Sequence, residues 1–421
     1  MGCDRACVVN RLHHGAIVCL LGVIALVEPA AAQFPLFQQP GQPGAFVDPQ
    51  DLQEPRRAPL TITPSLAITG EYNDNIFFDN RNRVSDFIIG FTPGLAIVAE
   101  RPTYRLGAGY SFTSELFTSE TEESHAFDRQ NFWLDAFYRV DPNLTLTLTD
   151  TFIFSTDTNL VTSQNVSTGR DRALSNILGA GVTWQFVPLW TLRSGASWEV
   201  ERFQREESQD SDVYRVSVGV DRRLSPQLTV GAEYELGYFD IEHEKKTVTH
   251  TPRLGVSWQP TSTITLVLRA GPTFEVQDGD TRVTPAVAAS YRQRVPFGAV
   301  GLSYDRAVGT AGGLGGTTHN QLISGFVDVT TLTRGLTLRL LPRYATEESS
   351  RGDRVDVQSF TVTLQAAYRL TAWMSLIGGY QFFRQRSDST AVTNPGTPLA
   401  SDADQNRVFF GVQFGYPIRF D

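Results

Sequence analysis

The chain has 421 residues, of which 41% are hydrophobic, 11% aromatic and 19% charged, with a formal net charge of −9 and three cysteines. This composition excludes a disordered chain and a disulfide-stapled scaffold. The acidic balance gives no electrostatic basis for nucleic acid as a partner, and of 36 basic residues only Lys245 and Lys246 are lysines.

Arg5, Arg11, His13 and His14 precede an apolar run at residues 16–27, and Pro29-Ala30-Ala31-Ala32 closes it in small residues. That layout predicts a signal peptide over residues 1–32, cleaved near Ala32-Gln33, and therefore export. Cys3, Cys7 and Cys19 all fall inside it, so the mature chain is expected to hold no cysteine. Beyond residue 32 there is no apolar run of the ~18 residues that a membrane helix requires. Residues 33–60 are rich in Pro and Gln without periodicity and read as a flexible periplasmic linker.

From Thr61 onward, over residues 61–421, apolar and polar or small residues alternate with period two, the pattern of strands whose two faces meet different surroundings. Phe410, Val412, Phe414, Tyr416, Ile418 and Phe420 alternate with Gly411, Gln413, Gly415 and Arg419. Leu228, Val230, Ala232, Tyr234 and Leu236 alternate in the same way with Thr229, Gly231, Glu233 and Glu235. Tight turns at Arg101-Pro102, Asp141-Pro142-Asn143, Val187-Pro188, Ser225-Pro226, Gln259-Pro260, Val295-Pro296, Thr333-Arg334-Gly335 and Thr371-Ala372 are separated by longer polar stretches.

Short turns at one rim and long loops at the other, with an even strand number, are the requirements of an outer-membrane barrel. In lipid every backbone polar group must be paired within the protein, which a closed barrel achieves. The expected fold is therefore all-β, a transmembrane antiparallel up-and-down β-barrel of 16 to 18 strands. Eight short turns and nine long loops favour 18, and the ambiguous parity of residues 322–330 keeps 16 open. Asp150 shares parity with Leu148 and Phe152, so it faces lipid unless a bulge shifts the register.

Tyr72, Asn73, Asp74 and Asn75, at the end of the first strand after Thr63-Pro64-Ser65, resemble the N-terminal signature of the β-barrel porin 2 family of outer-membrane proteins. The resemblance implies a barrel in the outer membrane of a Gram-negative cell, associated with exopolysaccharide production and export. Its implied partners are the outer membrane with its lipopolysaccharide, the barrel assembly machinery and polysaccharide export components. Read by themselves, Asn73, Asp74 and Asn75 are turn formers at a strand end, with a calcium or sugar contact as the functional alternative.

Pore-lining candidates come from the inward parity: Arg105, Arg193, Arg269, Arg339, Arg369 and Arg419 together with Glu199, Glu201, Glu233, Glu235, Glu275 and Asp305. These groups either form facing rows of opposite charge that set a transverse field, or pair with one another and hydrate the lumen. Trp133 and Phe239 share the inward parity and are suited to sugar stacking or to rim packing. Residues 312–318 read as a flexible loop.

An enzyme needs a nucleophile with a base, or paired carboxylates. Ser124 and His125 are adjacent and face opposite sides, while Glu199/Glu201 and Glu233/Glu235 stand about 7 Å apart along their strands, as any polar lumen would provide. No phosphate-cradling loop or cysteine metal cluster is present in the sequence, so neither catalysis nor a cofactor or metal is expected. The sequence thus points to a passive porin-like channel for polar solutes. The alternative is a barrel anchor whose loops bind a partner or polysaccharide, with an outer-membrane hydrolase less favoured.

Overall fold

The computed structural model describes residues 59–162, 165–330, 332–351, 355–388 and 400–420; the expected signal peptide and nearly all of the expected linker lie outside the described residues. One sheet runs through the whole described chain. Its strands are β1 (Leu60–Asn73), β2 (Asp86–Arg101), β3 (Tyr104–Phe117), β4 (His125–Asp141), β5 (Leu144–Asp157), β6 (Arg170–Val187), β7 (Trp190–Phe203), β8 (Ser211–Ser225) and β9 (Leu228–Ile241). They are followed by β10 (Thr247–Thr261), β11 (Ile264–Gln277), β12 (Asp280–Val295), β13 (Gly298–Thr310), β14 (Thr317–Val329), β15 (Leu336–Ser349), β16 (Asp356–Arg369), β17 (Met374–Ser387), β18 (Ala403–Gly415) and β19 (Ile418–Phe420).

From β1 to β18 each strand pairs antiparallel with its sequence neighbours, and β1 closes the circle by pairing with β2 on one side and with β18 and β19 on the other. Because β18 and β19 are two parts of one spanning strand, the architecture is a closed 18-stranded barrel. Closure leaves no edge strand.

The two faces differ as the alternation predicts. On β18 the outward Val408 and Phe410 are 51% and 62% exposed, whereas the inward Arg407 and Gln413 are 1% and 7% exposed. Aromatic side chains crowd both ends of the outer surface. Tyr104, Tyr138, Trp190, Trp373 and Tyr416 are exposed near the short-turn rim, and Tyr72, Tyr214, Phe360 and Tyr380 nearer the long-loop rim. Exposed aliphatic residues such as Leu148, Val216, Leu268 and Leu302 lie between, and this apolar band with aromatic margins is the surface a bilayer requires.

Asp150 interrupts it. No bulge occurs at that position, and Asp150 keeps the outward parity, accepting a 2.6 Å hydrogen bond from the Asn176 side chain of β6.

At the rim opposite the short turns, nine loops connect odd to even strands: loop 1 (74–85), loop 2 (118–124), loop 3 (158–169), loop 4 (204–210), loop 5 (242–246), loop 6 (278–279), loop 7 (311–316), loop 8 (350–355) and loop 9 (388–402). Loop 6 departs from the expected long stretch. Asp278 and Gly279 make a tight hairpin turn with φ of 55° and 85°, the left-handed pair that an Asp-Gly sequence supplies. The ambiguous segment within β14 does span the barrel. Its parity was obscured because the inward face carries an apolar ring, Phe326, stacked under Arg292, while the outward face carries Gln321, whose side chain accepts a bond from Tyr304.

Candidate functional site

The inner wall from β7 to β11 is built of interleaved ion pairs. Arg193 binds Asp221 through two nitrogens and reaches Glu233 at 3.4 Å; Arg253 lies 2.7 Å from Glu235 and Arg269 lies 3.6 Å from Glu233. Arg215 of β8 donates to Glu199 at 2.7 Å and covers the Phe239 ring at 5.4 Å. Arg193, Asp221, Glu233, Arg253 and Arg269 surround a recess of about 50 Å³ in the wall, where Gly231 leaves room that a Cβ would take from Asp221. The Arg269 side chain is 35% exposed, so water reaches this wall.

On this wall the charged groups pair with one another and do not stand in facing rows. Acid and base alternate along neighbouring strands, and Arg339 likewise pairs with Asp328 of the adjacent β14. Separate rows would leave each guanidinium with like-charged neighbours; alternation stabilises each charge locally instead. Asp305 of β13 is half-buried. Arg105 is exposed opposite Glu100 at the turn end of β3, Arg369 ends β16, and Arg419 is exposed opposite Thr61. Glu201 and Glu275, at 0% exposure, are not on an open wall at all.

Toward the loop rim lies a second charge cluster that parity alone did not single out. Asp157, at the end of β5, accepts hydrogen bonds from Arg129 of β4 at 3.0 Å, Arg170 of β6 at 3.0 Å and Arg407 of β18 at 2.9 Å. Arg407 also donates to Glu71 of β1 at 2.7 Å, Arg129 pairs with Glu115 of β3 at 2.9 Å, and Arg170 with Glu123 of loop 2 at 2.8 Å. The signal was available in the inward alignment of Glu71, Glu115 and Arg407 near the strand ends, but Phe409 beside Arg407 on the same face masks it.

This cluster fixes the root of loop 3, which turns into the barrel. Thr158–Val161 form one helical turn, all four residues buried. Asn165 donates to Thr361 of β16 at 2.7 Å, and the Ser167 N–H donates to Gln385 of β17 at 2.8 Å.

Loop 7 comes from the opposite wall. Its Ala311 and Leu314 pack with Val166 of loop 3, Val355 and Val357, and with Ala400 of loop 9. Residues 312–318, expected to be a flexible loop, are instead packed. Glycine allows this, because Gly312, Gly313, Gly315 and Gly316 all have positive φ and let the chain lie close to its neighbours. Thr310 donates to Glu201 of β7, Thr317 to Glu275 of β11 and Thr318 to Glu347 of β15, at 3.0, 3.0 and 2.9 Å. Val308 packs with Val213 and Phe239, so the β13–β14 hairpin leans over the lumen.

The Tyr72 to Asn75 run sits on the closure seam. Tyr72 points outward at 49% exposure, while Asn73 and Asn75 are buried. Asp74 accepts from the Asn406 backbone N–H and side chain at 2.7 and 2.8 Å, Asn75 donates to the Asp404 carbonyl at 3.0 Å, and Gln405 donates to the Asn75 carbonyl at 2.8 Å. In the adjoining loop 1, the Arg81 N–H holds the Asp79 carboxyl below its ordinary range. Trp133, inward on β4, lies over Gly109, where a Cβ would stand 2.4 Å from its Nε1.

No family model matches the sequence, and no curated protein matches it. Among solved structures the chain is similar to Pseudomonas aeruginosa OpdO, at 18% identity over 85% of this chain and 97% of that one, with a TM-score of 0.42. It is also similar to Acinetobacter baumannii OccAB4 (12% identity, 87% and 100% coverage, TM-score 0.42) and to the outer membrane protein OpdK of Pseudomonas aeruginosa (12%, 85% and 99%, 0.41). At these identities and TM-scores the likeness assigns no role.

Proposed function

We propose that this chain is an outer-membrane channel for polar solutes, with its loop rim facing the outside and both termini in the periplasm. The observation that carries the reading is a wetted wall of paired charges inside a closed barrel whose outside is an apolar band. A barrel of 18 strands is wide enough for an aqueous path. In this reading Arg193, Arg269, Glu233, Glu235 and Glu199 line the path, while Arg105, Arg369 and Arg419 stand at its periplasmic mouth. Alternating charges hydrate a path without favouring one ion sign strongly. The association with exopolysaccharide export rests on the resemblance of Tyr72 to Asn75 alone.

The test is swelling of liposomes that hold the refolded mature protein, in sugars of increasing size. Entry of small neutral sugars, with a cut-off at larger ones, is the expected result. Impermeability to every sugar by a heat-modifiable, folded barrel would favour the second reading, a surface anchor whose outer loops bind a partner or polysaccharide.

A further inference from the structure

Every strand of the ring has two neighbours, yet one pair parts before its end. β12 pairs with β11 from Asp280 opposite Gln277 to Gln293 opposite Ile264, but with β13 only from Val287 opposite Arg306 to Val295 opposite Gly298. Beyond Arg306 the end of β13 turns into the lumen and is held there. Thr310 donates to Glu201 of β7, Thr317 bonds both Glu275 and Ser350, and His319 lies 3.6 Å from the buried Glu275. Among the described residues, 280–286 of β12 therefore have no strand on the β13 side. Pro285 lies in this stretch, opposite Pro272 of β11, and has no N–H to give to a ladder. The Arg351 side chain of loop 8 caps the upper end of the split by donating to the Asp280 carbonyl at 3.0 Å.

Arg306 sits at the foot of the split. It shares the outward parity of Leu302, which is 56% exposed, and it makes no hydrogen bond or ion pair among the described residues. A guanidinium on the lipid-facing side of a strand is costly until an anion reaches it. Below it on the outer face, a groove of about 590 Å³ runs between Trp258, Leu268, Ala289, Tyr291, Leu302 and Tyr304. Ala289 forms its floor, because it lies between Leu268 and Tyr304 in the register and its methyl leaves the space that those larger side chains border. Residues on one face of a strand are ~7 Å apart, so Tyr304 at the head of the groove is one step from Arg306.

We propose that this cleft holds one lipid with an anionic phosphate head group, the phosphate on Arg306 beside the open edge of β12 and an acyl chain in the groove below. With the loop rim outside, the lipid belongs to the outer leaflet. An apolar groove alone would take any chain, whereas an unpaired guanidinium at its upper end selects a negative head group. Val283, 58% exposed on β12, continues the apolar surface alongside the split. The site needs only the barrel in its bilayer and is independent of whether the pore conducts.

The test uses the refolded mature barrel in detergent, titrated with phosphatidylglycerol or with phosphatidylcholine of the same acyl chains and read by native mass spectrometry. The wild type is expected to hold one phosphatidylglycerol about tenfold more tightly than phosphatidylcholine, whose phosphate is neutralised by choline. Arg306→Gln should remove the preference, Arg306→Lys should keep part of it, and Ala289→Trp, which fills the groove, should weaken both lipids. Should Arg306→Gln fail to give the heat-modifiable band, the wild-type preference and Ala289→Trp still decide. Equal retention of the two lipids by the wild type, an unchanged preference in Arg306→Gln, or undiminished binding in Ala289→Trp would overturn the proposal. Inorganic phosphate alone is expected not to be retained, and its retention through Arg306 would replace the lipid with a free anion.

Discussion

Arg407 and Asp157, separated by 250 positions in sequence, meet 2.9 Å apart inside the barrel, and each is 1% exposed. The pair joins the last long strand to the root of loop 3 and gathers Glu71, Arg129, Glu115 and Arg170 around it. A charge in such a place is stable only while its partners remain, because removing one leaves the others buried without compensation.

Arg407→Gln is therefore expected to cost about 3–5 kcal/mol of stability. Equilibrium unfolding in urea of the refolded barrel reads it. The variant is also expected to release loop 3, seen as new protease cleavage within residues 158–169, whereas Arg105→Gln at the exposed turn rim should leave both measurements unchanged.

The seam makes a separate prediction. Asp74→Ala removes the acceptor for two bonds from Asn406 and is expected to destabilise by about 1–3 kcal/mol, with a lowered temperature for loss of the compact band on gels. Asn406→Ala in the same background should add only the loss of its separate bond from Tyr380, since the bonds to Asp74 are already gone. A full additive loss in the double variant would contradict the seam clamp.

On the outer face, Asp150 and Asn176 hydrogen-bond to each other amid lipid-facing residues. Asp150→Leu alone leaves the Asn176 amide only its long bond to the Thr151 carbonyl, so it should bring little gain. Asp150→Leu with Asn176→Leu removes both polar groups and is expected to stabilise the barrel in bilayers by about 1–2 kcal/mol. A double variant less stable than the wild type would show that the pair supports the structure.

Gly109 tests the inward packing. Gly109→Leu places side-chain atoms where the Trp133 ring lies, so it is expected to cost about 1–3 kcal/mol and to shift the tryptophan emission. Gly279→Leu, which meets no atom within 4 Å, should affect stability only through its left-handed backbone.

The barrel was legible in the sequence wherever outside and inside differ in polarity, as in β18, and wherever Pro or Gly marks the short turns. β14 resisted because Phe326 faces inward and Gln321 outward, reversing the usual polarity of the two faces. The charged wall was legible as a set of inward residues, but parity carries no information on which neighbours share a height, so pairing across strands emerged only from the register. Loop 7 was misread for a related reason. Glycine content reports conformational freedom and not what the segment packs against, and its partners Val166, Val355 and Ala400 are distant in sequence.

The most direct measurement of the central claim is single-channel conductance of the refolded mature protein in a planar bilayer under a salt gradient. The account predicts stepwise openings, with a small reversal potential because acids and arginines alternate along the wall. A correctly folded barrel that never conducts would contradict it.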